Sequence, residues 1–238
     1  MSLQEKSENY WSNTIDPSRR KKSYFDSYFE DKENQKSLDF RIEKILNQTE
    51  SVESLLDIGC GYGAFLYKIN QITPHLKLGG IDISPDAIDF VQSNLPKSQI
   101  VRDKFSNIKK HFKENTYDVV YTSGVMIHQS PNSIPTLVDD LIKISKKYII
   151  HFEDIGEGEL ISGEKDQNPQ WRESKQFLWK NDLVKIYKDK GCSFYYGNDV
   201  PQEFQRIGFT NYLIVDLHSN PYTSSNSNLD SFPISKIN

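Results

Sequence analysis

The stretch from Leu55 to Phe65, "LLDIGCGYGAF", constrains the fold more than any other part of the chain. A short apolar run carries Asp57 near its end, glycines stand at Gly59, Gly61 and Gly63, and Ala64 opens a helical pattern. Strand, bare loop and helix in that order form the first crossover of a parallel sheet with helices on its faces. The glycines permit a tight turn and the close approach of a ligand to the main chain. The helix start behind them offers free N–H groups and the positive end of its dipole.

The alternation continues. Apolar runs at Ser54–Ile58, Leu76–Ile83, Gln99–Val101, Tyr117–Tyr121 and Lys147–Phe152 are separated by helical patterns at Ala64–Ile69, Pro85–Leu95 and Ser133–Ser145. The helix at Pro85 carries its own start signal, with Ser84 as cap, proline in the first turn and acids near the positive end. This predicts an α/β fold, a Rossmann-like parallel sheet with helices on both faces. Ahead of it, residues 1–50 predict two helices, one carrying Tyr24, Phe25, Tyr28 and Phe29 and one carrying Leu38, Ile42, Ile45 and Leu46, read together as an N-terminal cap. The main domain spans 51–218, with a polar, Gly-containing excursion over 155–180 on the substrate side of the sheet. After the excursion come a helix around Asp182–Lys188 and two strand-like runs, "CSFYYG" and "FTNYLIVDLH". Residues 219–238 are rich in Ser, Asn and Pro and are expected to drape loosely.

Two ligand classes use such a loop. Gly59 to Ala64 satisfies the G-x-G-x-x-A pattern that seats a pyrophosphate. Asp57 tilts the choice, because a carboxylate beside the loop repels a pyrophosphate and suits a ligand bearing an ammonium and a sulfonium. Asp57 also has the simpler role of bracing the loop, and the two are compatible. Asp82 ends the neighbouring strand, where a carboxylate accepts hydrogen bonds from a ribose diol. It supports a nucleoside of either class, and capping the next helix is its plain alternative. Cys60 reads as a small residue inside the loop rather than a nucleophile.

Three stretches in succession, "LLDIGCGYGAF", "GIDISPDAIDFVQSNL" and "YDVVYTSGVMIH", resemble the ordered motifs of the class I S-adenosylmethionine-dependent methyltransferases. The resemblance covers roughly residues 52–155. It implies a seven-stranded sheet whose last strand is antiparallel, with S-adenosyl-L-methionine as cofactor. Asp57, Gly59, Cys60, Gly61 and Gly63 would then surround the methionine part. Asp82 would take the ribose, Ile83 the adenine face and Asp103 the adenine amino group, although Lys104 and Phe105 replace the small residues usual after it. Ser123 and Gly124 would line the methyl-donor pocket. No metal is implied.

Methyl transfer from a sulfonium asks the protein to orient the acceptor, exclude water and accept a proton if the acceptor is an alcohol. His128, just past the fourth strand, is the candidate general base, with loop packing as its alternative. His151 lies inside the fifth strand and reads as core. Glu153 and Asp154 follow it, and since neighbours on a strand face opposite ways, Glu153 is taken as the one facing the pocket. A narrower likeness of "GVMIHQSP", "KYIIHFED" and "LWKNDL" to methyltransferases of pseudaminic acid and other surface-sugar biosynthesis favours O-methylation of a sugar-type small molecule. Tyr10, Trp11, Trp171 and Arg172 come from the segments placed to contact it.

Other readings are a nicotinamide-dependent oxidoreductase, a non-catalytic cofactor-binding module, and transfer to an amine, phenol, protein or RNA. A net charge of -4, from 29 basic and 33 acidic side chains, argues against nucleic acid or an anionic membrane as partner. The run Arg19-Arg20-Lys21-Lys22 reads as a solvated helix start. No apolar stretch approaches the ~20 residues a membrane span needs, and the N-terminus lacks a secretory pattern. With only Cys60 and Cys192 there is no disulfide framework, and a reducing cytoplasm is expected.

Overall fold

The structure, a computed structural model, describes residues 2–13, 22–48, 51–156, 178–205 and 209–218. Three helices come first: α1 (Leu3–Asn13), α2 (Lys22–Glu30) and α3 (Lys32–Gln48). Strands and helices then alternate through β1 (Ser54–Ile58), α4 (Ala64–Ile72), β2 (Lys77–Asp82), α5 (Pro85–Asn94), β3 (Gln99–Arg102), β4 (Tyr117–Ser123), α6 (Ile134–Ile144) and β5 (Ser145–Glu153). Helix α7 (Leu183–Asp189), β6 (Ser193–Gly197), the single turn α8 (Gln202–Gln205) and β7 (Asn211–Asp216) follow.

The seven strands form one sheet in the order β3-β2-β1-β4-β5-β7-β6. The pairs among β1 to β5 are parallel, and β7 lies antiparallel between β5 and β6. This is the Rossmann-like arrangement expected from the alternation, with the last strand reversed.

Both faces of the sheet are covered, which is why β1 is buried at every position and carries Leu55, Leu56 and Ile58 on both of its faces. On one face Leu55, Val119, Tyr121 and Ile150 pack with Leu38, Ile42 and Ile45 of α3 and Phe65, Leu66 and Ile69 of α4. On the other, Leu56, Ile58, Val120 and Ile149 pack with Ile134, Leu137 and Leu141 of α6 and Leu183 and Tyr187 of α7. The period-two alternation of a strand therefore turns Asp57 and Ser123 toward α3, and Thr122, His151 and Glu153 toward α7. The aromatic stripe of α2 is packing surface: Phe25 and Phe29 meet Tyr67 of α4 with ring centres 5.3 and 5.6 Å apart, and Phe25 meets Phe90 of α5 at 5.0 Å.

The structure departs from the sequence reading in places. A third N-terminal helix, α1, precedes the two expected. Its apolar residues are confined to Leu3, Tyr10 and Trp11, too few for a stripe, and polar contacts to the loop after β4 hold it in place. Ser84 occupies the cap position of α5 but makes no side-chain cap bond; its own N–H is given to Asp82. Residues 157–177 of the excursion, the whole tail 219–238 and Arg19 to Lys21 lie outside the described residues. Among the described residues no helix is long and apolar enough to cross a membrane.

Candidate active site

A cavity of about 260 Å³ opens at the carboxyl edge of the sheet, where the chain runs outward from β1 to β2 on one side and to β4 on the other. Open α/β sheets bind ligands at this switch point. The loop after β1 stays tied to β2, with the N–H groups of Gly59 and Cys60 both donating to the Ile81 carbonyl, at 2.7 and 3.1 Å. Gly59 has φ +71°, and a Cβ there would stand 2.2 Å from Cγ2 of Val125. Gly61 has φ +49° and lines the cavity, and a Cβ there would meet nothing within 4 Å. Gly63 and Cys60 turn away from the cavity. A Cβ on Gly63 would come 2.8 Å from Val91 of α5, and the buried sulfur of Cys60 lies against Gly80. Cys60 is thus packing, as its size suggested.

Asp82 closes the loop from the β2 side. Its Oδ2 accepts the Gly61 N–H at 2.9 Å and its Oδ1 the Ser84 N–H at 2.8 Å. Burial raises its pKa, partly offset by the backbone N–H groups of Ser84, Gly61 and Ile83. The capping and ligand-facing roles of Asp82 therefore coexist, since it lines the cavity together with Ile83. Asp57 is 3% exposed and sits behind the loop, outside the cavity lining. Burial pushes its carboxyl well above the usual range; the Arg41 charge works against that shift and the Asp82 charge adds to it.

Asp103 lines the cavity at the end of β3, but its oxygens are engaged. Oδ1 accepts from the Lys104 N–H at 2.7 Å and from Asn107 Nδ2 at 2.8 Å, and Oδ2 meets His111 Nε2 at 2.7 Å. Partial burial would raise its pKa. The hydrogen bonds from Asn107, His111 and Lys104 and the His111 charge outweigh that and bring it to about 2.

The loop after β4 supplies the opposite wall. Ser123, Gly124 and His128 all line the cavity, His128 at the end of a tight turn over Met126–His128. Helix α1 lies across this loop. The Gln4 side chain accepts the Ser130 N–H at 2.8 Å, Ser7 Oγ donates to the His128 carbonyl at 3.4 Å, and Glu8 pairs with Lys104 at 3.2 Å. Tyr10 and Trp11 thereby reach the cavity, and the Trp11 ring lies edge-on to His128 with centres 4.7 Å apart. Trp171 and Arg172 lie outside the described residues.

Glu153 is placed differently from the expectation. It faces α7 rather than the cavity and is 1% exposed. Its Oε1 accepts from Thr122 Oγ1 at 2.8 Å and the Val125 N–H at 3.1 Å, while Oε2 is buried without a partner. Burial raises its pKa to about 7, against the pull of N–H groups in the 125–127 turn and the Thr122 hydroxyl. Beside it His151 is core, as expected. It is fully buried between Thr122 Oγ1 (2.7 Å) and the Tyr187 hydroxyl (2.8 Å), and burial holds it neutral with a pKa of about 3. Glu153 therefore braces the loop that carries His128 and has no direct line to an acceptor.

Two residues at the site escaped the sequence reading. Arg41, 6% exposed, reaches the sheet edge from α3 and donates to Ser123 Oγ at 3.0 Å. Its signal was present: it stands inside the apolar stripe of Leu38, Ile42 and Ile45, a charge on a buried helix face. Asn181 donates from Nδ2 to the carbonyls of Met126 (2.8 Å) and Gln129 (3.0 Å), tying the chain after the excursion to the same loop. Nothing in its local pattern announced that.

The residues present fit the cofactor that the resemblance implies. A half-buried carboxylate, Asp82, meets the cavity beside apolar Ile58, Ile81 and Ile83, and the main chain at Gly61 is bare toward the same space. The comparisons agree with this geometry. Residues 55–147 match the family described as a methyltransferase domain. Malonyl-[acyl-carrier protein] O-methyltransferase 2 of Ilyobacter polytropus is 26% identical over 149 residues, 61% of this chain; the chain spans 57% of that relative's length. The crystal structure of magnesium protoporphyrin IX methyltransferase from Synechocystis PCC 6803 with bound SAM superposes with a TM-score of 0.60 at 15% identity, covering 91% of this chain and 97% of that one. The plantazolicin methyltransferase BpumL, in complex with a pentazolic desmethylPZN analog and SAH, gives 0.56 at 20% identity, with 90% and 96% covered. These structural likenesses establish the shared fold.

Proposed function

We infer, for a chain that carries a class I S-adenosylmethionine-dependent methyltransferase domain, that its reaction is methyl transfer to an oxygen of a small polar acceptor, with a sugar or sugar-derived metabolite as the favoured class. The observation that carries the reading is His128, held on the loop after β4 against the Trp11 ring and lining the same cavity as Asp82. A flat aromatic and a titratable ring side by side suit a polyhydroxyl acceptor, which packs one face and gives up one proton.

S-adenosylmethionine supplies, when bound, a methyl group already activated on a sulfonium. Asp82 accepts the ribose hydroxyls with the lone pairs its two N–H contacts leave free, and Ile83 covers the adenine. Gly59, Gly61 and Gly63 shape the loop, Ser123 and Gly124 bound the donor end, and Asp57 stands behind the loop, where a cationic ligand would favour its ionised form against the burial that disfavours it. Asp103 keeps its side chain engaged with Asn107 and His111, so its part is to fix the wall beside the adenine. Tyr10 and Trp11 hold the acceptor, and residues 1–50 act as a cap that excludes water from the 51–218 domain. His128 takes the hydroxyl proton on Nε2, since its Nδ1 is buried. Buried, free Cys60 and Cys192 accord with a reducing cytoplasm.

A second reading has its own support. The relative from Ilyobacter polytropus is named for a malonyl carrier protein as its methyl acceptor. Methylating a carboxylate needs no base, because the acceptor is already ionised at neutral pH. The deciding experiment is a labelled methyl-transfer screen over sugars, nucleotide sugars, carboxylated acyl thioesters, amines, phenols and RNA. A sugar ether, stable to mild alkali, is the expected product. Label released as methanol by alkali marks an ester and replaces the sugar reading with the carboxylate one. Label in amine or RNA alone defeats both.

A further inference from the structure

Glu153 reaches no part of the cavity, yet the cavity wall is built around it. Gly124, with φ +64°, and Val125, with φ -107° and ψ -42°, turn successive N–H groups of the chain to one side. A left-handed residue beside a right-handed one is a backbone form that receives anions. The anion here is internal. Glu153 Oε1 accepts the Val125 N–H at 3.1 Å, and the N–H groups of Met126 and Ile127 also favour its ionised form. The side chains beside it are ordered toward the same charge. Thr122 Oγ1 donates to Oε1 at 2.8 Å, which leaves its lone pairs to accept from His151 Nδ1 at 2.7 Å, and His151 Nε2 then accepts from the Tyr187 hydroxyl at 2.8 Å. His151 and Tyr187 are the titratable groups that face Glu153 from β5 and α7, and burial keeps both uncharged. Among the described residues Oε2 is buried with no hydrogen-bond partner. Donors on one oxygen alone hold the carboxylate against its burial only in part, which leaves the group with a pKa of about 7.

We propose that Glu153 is a positioning residue for methyl transfer: as a carboxylate it holds the 125–127 turn, and with it His128, at the cavity, and as a neutral acid it lets that turn slacken. The inference rests on the reading of His128 as the base. Transmission is short. Gly124, Val125 and His128 line the cavity, and the His128 N–H closes the turn on the Val125 carbonyl at 3.0 Å. The outer side of the turn is held independently, by the Trp179 N–H on the Ile127 carbonyl and by Asn181 on the carbonyls of Met126 and Gln129, so loss of the inner charge shifts the turn without freeing it. Hydrogen bonds to an ionised acceptor are about twice as strong as neutral ones. One proton, taken from solvent or returned to it, therefore changes the grip on the N–H groups of Val125, Met126 and Ile127 together. The same ionisation costs the fold, because burial disfavours the charge. A turn that is tightest where the protein is less stable sets Glu153 apart from a plain structural brace.

The test joins amide spectra to turnover. In the wild type, with or without bound S-adenosylhomocysteine, the Val125 amide signal should titrate with a midpoint of about 7, and the His128 ring signals should carry that step beside their own. In Glu153→Gln the Val125 signal should stay flat from about pH 5 to about pH 9. At about pH 8 that variant should turn over the acceptor found by the labelled screen about 10- to 100-fold more slowly, with KM for S-adenosylmethionine within about twofold, and yet resist urea at least as well as the wild type. Glu153→Asp, which keeps the charge on a shorter arm, should recover part of the lost turnover. Wild-type turnover in Glu153→Gln, or turnover lost in step with stability, overturns the proposal. So does a Val125 amide that fails to titrate in the wild type, a measurement that needs neither a folded variant nor a known acceptor. Full activity of His128→Ala removes the reading of His128 as the base and this inference with it, which is distinct from a flat Val125 signal in a protein whose His128→Ala variant is inactive, where only the inference falls.

Discussion

Gly59 and Gly61 both have positive φ, but the structure gives them different reasons to be glycine, and alanine separates them. At Gly61 the cost to the fold is backbone alone. The left-handed conformation costs an L-residue about 1–2 kcal/mol, and no atom lies within 4 Å of the added Cβ. At Gly59 the same backbone cost applies, and the Cβ would also sit 2.2 Å from Val125 Cγ2. Val125 cannot retreat freely, because its N–H is held by Glu153 at 3.1 Å. Overpacking of that kind costs about 1–3 kcal/mol more, so Gly59→Ala should lose about 2–5 kcal/mol in all, a large part of a typical domain's stability. Binding should rank differently. The methyl of Gly61→Ala enters the cavity where the loop is bare, so S-adenosylhomocysteine affinity should fall by at least about tenfold while the protein remains folded. Urea unfolding gives the first quantity and titration calorimetry the second. If Gly61→Ala binds the nucleoside as the wild type does, the ligand does not approach the loop there. If Gly59→Ala is no less stable than Gly61→Ala, the Val125 contact is slack and the packing argument is wrong.

Asp82→Ala removes the acceptor of two backbone N–H groups as well as the ribose partner, so it should cost about 2–3 kcal/mol in urea unfolding and weaken S-adenosylhomocysteine more than about tenfold; unchanged affinity would take Asp82 out of the ribose role. His128→Ala should lower turnover by about 10²–10⁴ with little change in cofactor affinity if the acceptor is an alcohol, whereas full activity across the pH range assigns the ring to packing. Glu153 has its folded pKa raised from 4.5 to about 7. The protein is therefore unpenalised below pH 4.5, where the carboxyl is protonated folded or unfolded, and loses stability as pH rises toward about 7, by an amount on the order of 3 kcal/mol. Glu153→Gln should flatten that slope in unfolding measured from about pH 4.5 to about 8; an unaltered slope means the penalty lies elsewhere.

The sheet was legible because its local signals are self-contained. Leu55 to Phe65 encodes a strand, a turn and a helix start within one window, and the register of β1 against β2 and β4 follows once both faces must be apolar. The helix α1 was not legible. Leu3 to Asn13 has no stripe to bury, and its position is set by side chains that reach Gln129, Ser130 and Lys104, residues more than ninety positions away. Glu153 shows the same limit from another side. Period-two reasoning correctly separated it from Asp154, whose Oδ1 is instead taken by Thr210 at 2.7 Å. The choice of Glu153 as the one facing the pocket fails, because its side chain faces α7 and the turn at 125–127 closes over the carboxylate.

That turn is where the chain's separate parts are held to a common geometry. From α1, Ser7 and Gln4 bond it; from β5, Glu153 takes the Val125 N–H; from the end of the excursion, the Trp179 N–H reaches the Ile127 carbonyl at 2.8 Å, and just past it Asn181 reaches Met126 and Gln129. Just ahead of the turn, Arg41 of α3 holds Ser123. Four segments far apart in sequence thus determine where Ser123, Gly124 and His128 stand relative to Asp82. The consequence is a division of labour in the site. The β1–β2 side is built from neighbouring backbone and keeps its shape wherever a strand, a glycine loop and an acid recur, which is why a cofactor could be inferred from a few short motifs. The β4 side is assembled from long-range polar contacts, so a change in α1 or in the chain around Trp179 should shift the loop that carries His128 while leaving the β1–β2 side intact. On the proposed function, acceptor choice would then follow from these tertiary contacts rather than from a local motif.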